Sequence, residues 1–141
     1  MKRICTYSTL PNEALAVRMA VFVEEQGFVD EVDDTDQIAT HLVLFEDDAP
    51  IGTCRIFPAA EPKRYILGRL AIMKAYRGQR CGSLLIEAAE EYVRGAGGTA
   101  LSLHSQCRAQ DFYKKCGYTA YGDIEDDEGC PHIWMKKEWN A

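Results

Sequence analysis

A short basic loop between an apolar segment and an amphipathic segment carries the clearest chemical signal in this 141-residue chain. The apolar stretch 70–73 predicts the end of a strand, and the segment that begins at Cys81 predicts a helix. Between them the chain supplies Arg77, Gly78 and Arg80. The first N–H groups of a helix lack internal partners and lie at the positive end of its dipole. With arginines beside them, they form an anion site suited to phosphate.

The loop lacks the two common nucleotide motifs. A Walker loop needs Lys and Ser or Thr after its last glycine, whereas Ser83 and Leu84 follow Gly82, and no G-x-G-x-x-G is present. The loop instead resembles the acyl-CoA-binding motif of the GNAT superfamily of N-acetyltransferases, in which Arg or Gln, two variable residues, Gly, a variable residue and Gly or Ala follow each other. Arg77 and Gly82 match this pattern, and Arg80 stands where the first glycine is usual.

Further segments extend the resemblance over nearly the whole chain. Residues 109–118, Ala-Gln-Asp-Phe-Tyr-Lys-Lys-Cys-Gly-Tyr, look like the A-x-x-F-Y-x-x-x-G-F/Y signature after the family's fifth strand. Residues 129–135 resemble the G-x-P-H-x-x-M ending of a poorly characterised bacterial branch. The N-terminal half of that branch is matched by the segment 21–27 and by four single residues: Arg18, Asp33, Asp36 and His41.

The resemblance implies an α+β GNAT fold in a single domain, 1–141. Its central twisted mixed sheet of six to seven strands is flanked by helices, and the parallel strands 65–73 and 99–106 splay apart. Acetyl-CoA is then the co-substrate, its pantetheine arm bound by the backbone of Leu70, Ala71 and Ile72. A backbone N–H near Ile72 faces the thioester oxygen. The pyrophosphate is held by the loop amides of Arg77, Gly78, Gln79, Arg80, Cys81, Gly82 and Ser83, and the 3′-phosphate is reached by Lys74, Lys114 and Lys115.

The same resemblance makes Tyr113 the general acid that protonates the departing CoA thiolate, although a packing role beside Phe112 is the alternative. Glu24 and Glu25, at the end of the first predicted helix, are candidates for the catalytic base, and a solvated helix end is the alternative for each. His41 and His132 are assigned to the acceptor site, with a hydrogen-bonded structural histidine as the alternative.

Arg80 is the one departure from the loop pattern. If the position needs a left-handed backbone, an arginine there costs about 1 kcal/mol. In ordinary geometry Arg80 adds a phosphate contact instead. The departure motivates a second hypothesis, a catalytically silent acyl-CoA-binding sensor or assembly module.

The net charge of −6 argues against nucleic acid as a partner, and no apolar run reaches the length of a membrane span. No Lys or Arg lies between Arg18 and Arg55, where ten acidic residues fall. Most of these acids are expected simply to solvate loops. Acidic surroundings at the site would favour a cationic acceptor: a small molecule or peptide amine such as a polyamine, an aminoglycoside or a lysine side chain. Six cysteines without a C-x-x-C pair predict a reduced, cytoplasmic protein without a metal. A homodimer is expected if the terminal strand 133–138 exchanges or pairs across two chains.

Periodicity and turn residues predict the elements that position these groups. Asn12 is the expected cap of the first helix, and Gly27 its end. Segment 28–37 is expected to be a loop, or a loop with one helical turn. The predicted strands are 2–8, 41–46, 51–57, 65–73, 99–106, 118–124 and 133–138, the last two joined by an acidic loop, and the predicted helices are 12–27, 81–95 and 108–116. The apolar stripe expected on the second helix is Leu84, Leu85, Ala88, Ala89 and Tyr92.

Overall fold

The computed structural model describes residues 1–28, 32–127 and 129–139. In these residues a single sheet contains the strands β1 (Lys2–Tyr7), β2 (Thr40–Glu46), β3 (Ala49–Pro58), β4 (Arg64–Ile72), β5 (Ala100–Gln106), β6 (Thr119–Asp127) and β7 (Cys130–Glu138). The α-helices are α1 (Asn12–Arg18), α2 (Cys81–Gly95) and α3 (Gln110–Lys115). A π-helix (Met19–Glu25) continues α1, and 3₁₀ turns cover Asp34–Gln37, Lys74–Tyr76 and Cys107–Ala109.

The sheet has the order β1-β2-β3-β4-β5-β7-β6, and its strands are antiparallel except for the pair β4 and β5. Helix α2 is the crossover between these two strands, as a parallel connection requires. Their pairing runs only from Arg64–Ala100 to Leu67–Leu103. Beyond that point β4 continues to Ile72 and β5 to Gln106 without pairing to each other. The predicted splay is therefore confirmed.

A β-bulge accompanies the splay. The register between β3 and β4 shifts between Thr53 and Arg55, and Arg69 on β4 takes a positive φ of 53°. A bulge bends its strand and increases the local twist, so it helps to turn the end of β4 away from β5.

Helices cover the two faces of the sheet. On one face Leu85, Ala89 and Val93 of α2 are fully buried in the main core with strand residues such as Leu42 and Leu103. On the other face α1 and the π-helix bury Ala14, Val17 and Val21, which pack against residues including Val43 and Ala71. Each face is thus closed by one amphipathic helical segment, and the splay lies between them.

Several element predictions need correction. The N-cap of α1 is Pro11 rather than Asn12; Pro11 is extended, with φ −81° and ψ 157°, and Asn12 is already helical. The fixed φ of proline suits this entry, and its missing N–H removes no helix bond. The π-helical continuation of α1 is not predicted by the sequence pattern, whereas the helical end before Gly27 and the short turn within 28–37 are confirmed. Residues 29–31 lie outside the described part of the chain.

The acidic run that begins at Asp123 is mostly strand rather than loop, because β6 extends to Asp127. Most of β6 is exposed and the strand lies at the sheet edge, so no apolar alternation marks it in the sequence. Acidic side chains on an edge strand also discourage pairing with another chain. Strand β7 lies between β5 and β6. Pairing of β7 across two chains, as expected for a homodimer, would therefore have to displace β6.

The predicted stripe on α2 is partly wrong. Leu84 and Tyr92 are each 37% exposed, whereas Ile86 and Val93 are buried. Cys81, Leu85, Ala89 and Val93 form the row at four-residue spacing that contacts the sheet. No helix among the described residues is long and apolar enough to cross a membrane.

Candidate active site

The splay between β4 and β5 opens a cavity of about 820 Å³. Of the residues expected to hold the pantetheine arm and the pyrophosphate, all but Gln79 line it: Leu70, Ala71, Ile72, Arg77, Gly78, Arg80, Cys81, Gly82 and Ser83. The three lysines expected at the 3′-phosphate, Lys74, Lys114 and Lys115, do not line it. Tyr113 of α3 and His132 of β7 line the same cavity. One cavity thus joins the basic loop 77–83, which we name the phosphate loop for its predicted role, the proposed acid Tyr113 and one proposed acceptor residue, His132.

The open edge of β4 presents backbone groups to this cavity. The N–H of Met73 donates to the carbonyl of Ile51 on β3 over 2.8 Å. Because peptide groups alternate in direction along a strand, the N–H and C=O of Ile72 point away from β3, toward the splay. Arg77 Nε donates to the Ile72 carbonyl at 3.0 Å. The Ile72 N–H therefore points into the splay and not toward β3.

Arg77 also joins the phosphate loop to the helix on the other face. Its guanidinium forms two hydrogen bonds with the Glu25 carboxylate, 2.5 and 2.6 Å long. These bonds hold the pKa of Glu25 below its usual range. Glu25 therefore remains ionised, but its carboxylate is committed to Arg77. Neither Glu25 nor the exposed Glu24 lines the cavity.

The backbone of the phosphate loop is left-handed at two places. Gly78 has φ 81°, which costs a glycine nothing, and Arg80, at the N-cap of α2, has φ 65°. The left-handed alternative for Arg80 is thus the one observed, and it implies strain of about 1 kcal/mol. At Gly82 an added Cβ would lie 2.8 Å from Cζ of Phe112. The glycine therefore allows α3 to pack closely against the start of α2.

Tyr113 is nearly buried and lies between two aromatic rings. Its ring centroid is 5.0 Å from that of Phe112 and 6.3 Å from that of Tyr118. Burial raises its pKa, so the phenol keeps its proton at neutral pH. Its hydroxyl forms no hydrogen bond with the described residues, whereas the Tyr118 hydroxyl donates to Glu90 over 2.9 Å. Tyr113 therefore has an O–H that remains available to a molecule in the cavity.

Three stacked rings form one wall of the cavity on the α1 side. The ring of His104 lies between those of His132, at 4.9 Å, and Trp134, at 4.8 Å. His104 Nε2 is 3.2 Å from Glu125 Oε1 on β6. Burial and the neighbouring His132 lower the pKa of His104, which favours its neutral form. We name this group of three rings the imidazole wall.

The opposite wall rests on a chain of ion pairs, of which Arg18–Asp36 and Arg55–Asp36 are buried. Arg55 of β3 bonds Asp33 at 2.6 Å and Asp36 at 3.0 Å, and Arg18 of α1 binds both oxygens of Asp36 at 2.8 and 2.9 Å. Although burial opposes ionisation of Asp36, its hydrogen bonds from Arg18, Asp33 N–H and Arg55 keep its pKa well below the usual range. Arg69, which contacts Asp33 at 3.2 Å, lines the cavity together with Arg55.

His41 belongs to this chain of ion pairs and not to the cavity. It is 1% exposed, burial lowers its pKa, and its Nε2 lies 3.1 Å from the carbonyl oxygen of Asp36. The ring nitrogen must donate there, because a carbonyl can only accept. The N-terminal residues that carried the resemblance, Arg18, Asp33, Asp36 and His41, are thus neighbours that fix the segment 33–37 to the sheet.

Sequence reasoning did not assign several residues that line the cavity, namely Arg55, Phe57, Arg69, Asp127 and Trp134. A signal existed for some of them. Residues two apart in a strand share a face, so Trp134 accompanies His132 and Phe57 accompanies Arg55. Sequence alone gives no signal that β5 pairs with β7 in the register that brings His104 beside Trp134.

The chain matches the family model of the acetyltransferase (GNAT) domain over residues 8–139. It belongs to the GNAT superfamily. Members of this superfamily transfer acyl groups from acyl-CoA, and the chain is accordingly an acyltransferase of this family. The Bacillus subtilis protein YyaT is 35% identical over 98% of this chain and 95% of its own length.

Solved structures agree with this GNAT assignment. A Lactobacillus plantarum protein to which N-acetyltransferase activity is attributed superposes with a TM-score of 0.90 at 36% identity, covering 99% of both chains. Escherichia coli ElaA gives 0.87 at 25% identity over 98% of this chain and 100% of its own. An aminoglycoside 6′-N-acetyltransferase complexed with coenzyme A gives 0.75 at 16% identity over 96% of both chains, a likeness that shows the fold alone.

Proposed function

We propose that this GNAT protein moves an acetyl group from acetyl-CoA to a primary amine of a small molecule or peptide by direct attack. The observation that carries the proposal is the joint position of three features on one cavity. These are the phosphate loop at the start of α2, the Ile72 N–H on the open edge of β4, and the Tyr113 hydroxyl. In a direct transfer the protein has to bind both substrates, donate a hydrogen bond to the carbonyl oxygen, and supply groups that accept and donate protons.

The residues present suit an acyl-CoA. Gly78 leaves open space around its backbone, so no side chain covers the loop amides at that position, where they would face a pyrophosphate. The unpaired end of β4 offers N–H and C=O groups at the spacing of an extended chain, which is what a pantetheine arm with two amides can pair with. Among the described residues, no three His, Cys, Asp or Glu side chains converge as metal ligands.

Tyr113 is the proposed acid for the departing sulfur. Because burial raises its pKa above the ordinary pKa of a thiol, about 8.5, proton transfer to sulfur is uphill. The phenol therefore acts first as a hydrogen-bond donor to the developing thiolate. Removing a single such donor typically lowers turnover by about 10²–10³-fold.

The acceptor we propose is cationic in its resting form. Asp127 lines the cavity and Glu125 lies beside the imidazole wall, both on the α1 side where the acceptor would enter. A protonated amine is attracted to such carboxylates before it loses its proton. The six cysteines are free thiols, which suits the cytoplasm as the place of the reaction.

Tyr113→Phe tests the mechanism, and Tyr118→Phe is its matched control. Tyr118 is also buried, yet its hydroxyl serves Glu90 and it does not line the cavity. With a panel of primary amines, we expect Tyr113→Phe to lower kcat by about 10²–10³-fold at an unchanged KM for acetyl-CoA. Tyr118→Phe should leave kcat near the wild-type value and lower the stability of the fold, because it removes the hydrogen bond to Glu90. Equal turnover of wild type and Tyr113→Phe would refute the acid role.

Melting temperatures with acetyl-CoA, desulfo-CoA and CoA lacking the 3′-phosphate test the binding step separately. A ligand at 100 times its Kd stabilises the folded state by about 2.7 kcal/mol. Stabilisation without acetylation of any amine would support the alternative, a silent acyl-CoA-binding module, which the strained Arg80 motivates. No stabilisation by acetyl-CoA would refute both hypotheses.

A further inference from the structure

We propose that His132 is the general base that takes the proton from the attacking amine, and that His104 and Glu125 position it. The inference rests on the proposed acetyl transfer and adds to it the residue that accepts the proton of the amine. It is carried by the hydrogen bonding, accessibility and neighbours of the His132 ring.

The tautomer of His132 is set by a backbone contact. Its Nδ1 lies 2.8 Å from the carbonyl oxygen of Cys130. Because the carbonyl oxygen can only accept, Nδ1 must carry the hydrogen, and in the neutral ring Nε2 then holds the free lone pair. This backbone bond therefore prepares Nε2 to accept a proton.

The accessibility of the two imidazole nitrogens differs. His104 Nε2 is buried from solvent without a well-aligned hydrogen bond, although it lies 3.2 Å from Glu125 Oε1. His132 Nε2 also has no hydrogen-bond partner among the described residues. Unlike His104 Nε2, however, it is accessible to solvent. The ring lines the cavity that also holds Tyr113 and the Ile72 edge. Of the two rings, His132 is the one whose free nitrogen can reach a molecule in the cavity.

Two carboxylates of β6 lie near His132. Glu125 lies opposite His132 in the register of β6 and β7, and Asp127 lines the same cavity. His104, the nearest other titratable ring, is held neutral by burial, so it does not compete for the proton. The remaining charged groups on the cavity wall are the arginines across the splay and in the phosphate loop: Arg55, Arg69, Arg77 and Arg80.

The stack of rings fixes where Nε2 points. His104 lies between His132 and Trp134, with interplanar angles of 34° and 24°. A ring held by a stack and a backbone bond loses little freedom when it acts, which is what a positioned base requires. His104 and Glu125 act through His132 and are positioning residues.

Atoms and charges balance in the step. The neutral amine nitrogen attacks the thioester carbonyl carbon, the C–N bond forms and the C–S bond breaks with its electron pair on sulfur. Nε2 of His132 takes the proton that the nitrogen must lose. The Tyr113 hydroxyl first donates a hydrogen bond to the developing thiolate and then gives it a proton, and Tyr113 regains one from solvent while His132 releases its own to solvent. The net products are an amide and a free thiol, with both side chains restored.

His132→Asn is the discriminating variant. The Asn side-chain amide can replace Nδ1 as donor to the Cys130 carbonyl, but it offers no nitrogen that accepts a proton. If His132 is only structural, turnover should stay near that of wild type. If it is the base, kcat/KM should fall by about 10²–10⁴-fold, with acetyl-CoA binding and melting temperature unchanged.

The pH profile separates the base from the positioning residues. Wild type should lose activity on the acid side of its pH profile, and His132→Asn should lack that acid limb. His104→Gln should lower activity by less than His132→Asn does, and its pH profile should keep the acid limb at a shifted pH. The effect of His132→Asn should be larger for benzylamine than for hydroxylamine, whose nitrogen loses its proton more easily.

Nitrogen-15 NMR of the histidine rings tests the inference without turnover. The chain has three histidines, so the spectrum is simple to assign. Protonation of His132 at Nδ1 in the neutral ring is expected, whereas protonation at Nε2 would overturn the proposal. If wild type acetylates no amine, the proposed function fails; if wild type is active and His132→Asn is equally active, only the base assignment fails.

Discussion

Replacing Arg80 by glycine and, separately, by alanine tests whether the phosphate loop carries backbone strain. Arg80 has φ 65° at the N-cap of α2, and its exposed side chain makes no hydrogen bond with the described residues. A left-handed backbone costs a residue with a Cβ about 1–2 kcal/mol. Glycine avoids this cost but loses about 0.4–1 kcal/mol through its freedom in the unfolded chain.

Both variants remove the same charge, so their difference reports the backbone alone. We expect Arg80→Gly to be more stable than Arg80→Ala by about 1 kcal/mol, which corresponds to about 2–4 °C in Tm for a chain of this size. Urea unfolding and thermal melts measure it. An alanine variant as stable as the glycine variant would refute the strain argument. Equal loss of acetyl-CoA affinity in both would assign Arg80 a phosphate contact.

Two further predictions concern ion pairs. Asp36→Asn should destabilise the fold by about 3–5 kcal/mol in urea unfolding, because it leaves Arg18 and Arg55 buried without their shared carboxylate. The pKa of Asp36 is lowered in the folded protein. The stabilisation that its ionised carboxylate gives is therefore complete above about pH 4, the pKa in the unfolded chain, and is lost as the pH falls further. The free energy of unfolding of the variant should accordingly fall less steeply in acid. Glu25→Gln should change stability little, because the pair with Arg77 is more than one-third exposed. It should tighten acetyl-CoA binding in calorimetry by freeing the Arg77 charge. If turnover instead fell by about 10²-fold or more, Glu25 would be the base.

The strands and their parallel pair could be predicted because they follow from local patterns and one topological rule, whereas the splay was implied by the resemblance to the GNAT superfamily. The helix between 65–73 and 99–106 makes those strands parallel, and both motifs lie at their ends. The acidic run in β6 escaped prediction because the edge strand is mostly exposed and needs no apolar face. The π-helix after Arg18 escaped because helical spacing alone does not show that the bonding pattern changes.

The cofactor side of the site could be predicted because it is built largely from backbone. An anion at a helix start binds consecutive N–H groups, so its residues are contiguous and the motif Arg77–Gly82 marks them directly. The Arg77–Glu25 pair lay outside the prediction, since it joins residues 52 positions apart. The sequence assigns the two residues to different roles, and only the fold shows that one neutralises the other.

The acceptor side could not be predicted as a unit because side chains from separate strands form it. His104 and Trp134 face each other only through the register of β5 and β7, and Arg55 lies across the splay on β3. The different charges of the two walls suggest how to search for the acceptor. Carboxylates lie beside the rings and guanidinium groups lie on the opposite wall, so amines that differ in their second charged group should be acetylated at different rates. Activity that rises from a monoamine to a diamine would locate the second cation at Asp127, whereas preference for an amino acid would locate its carboxylate at Arg55.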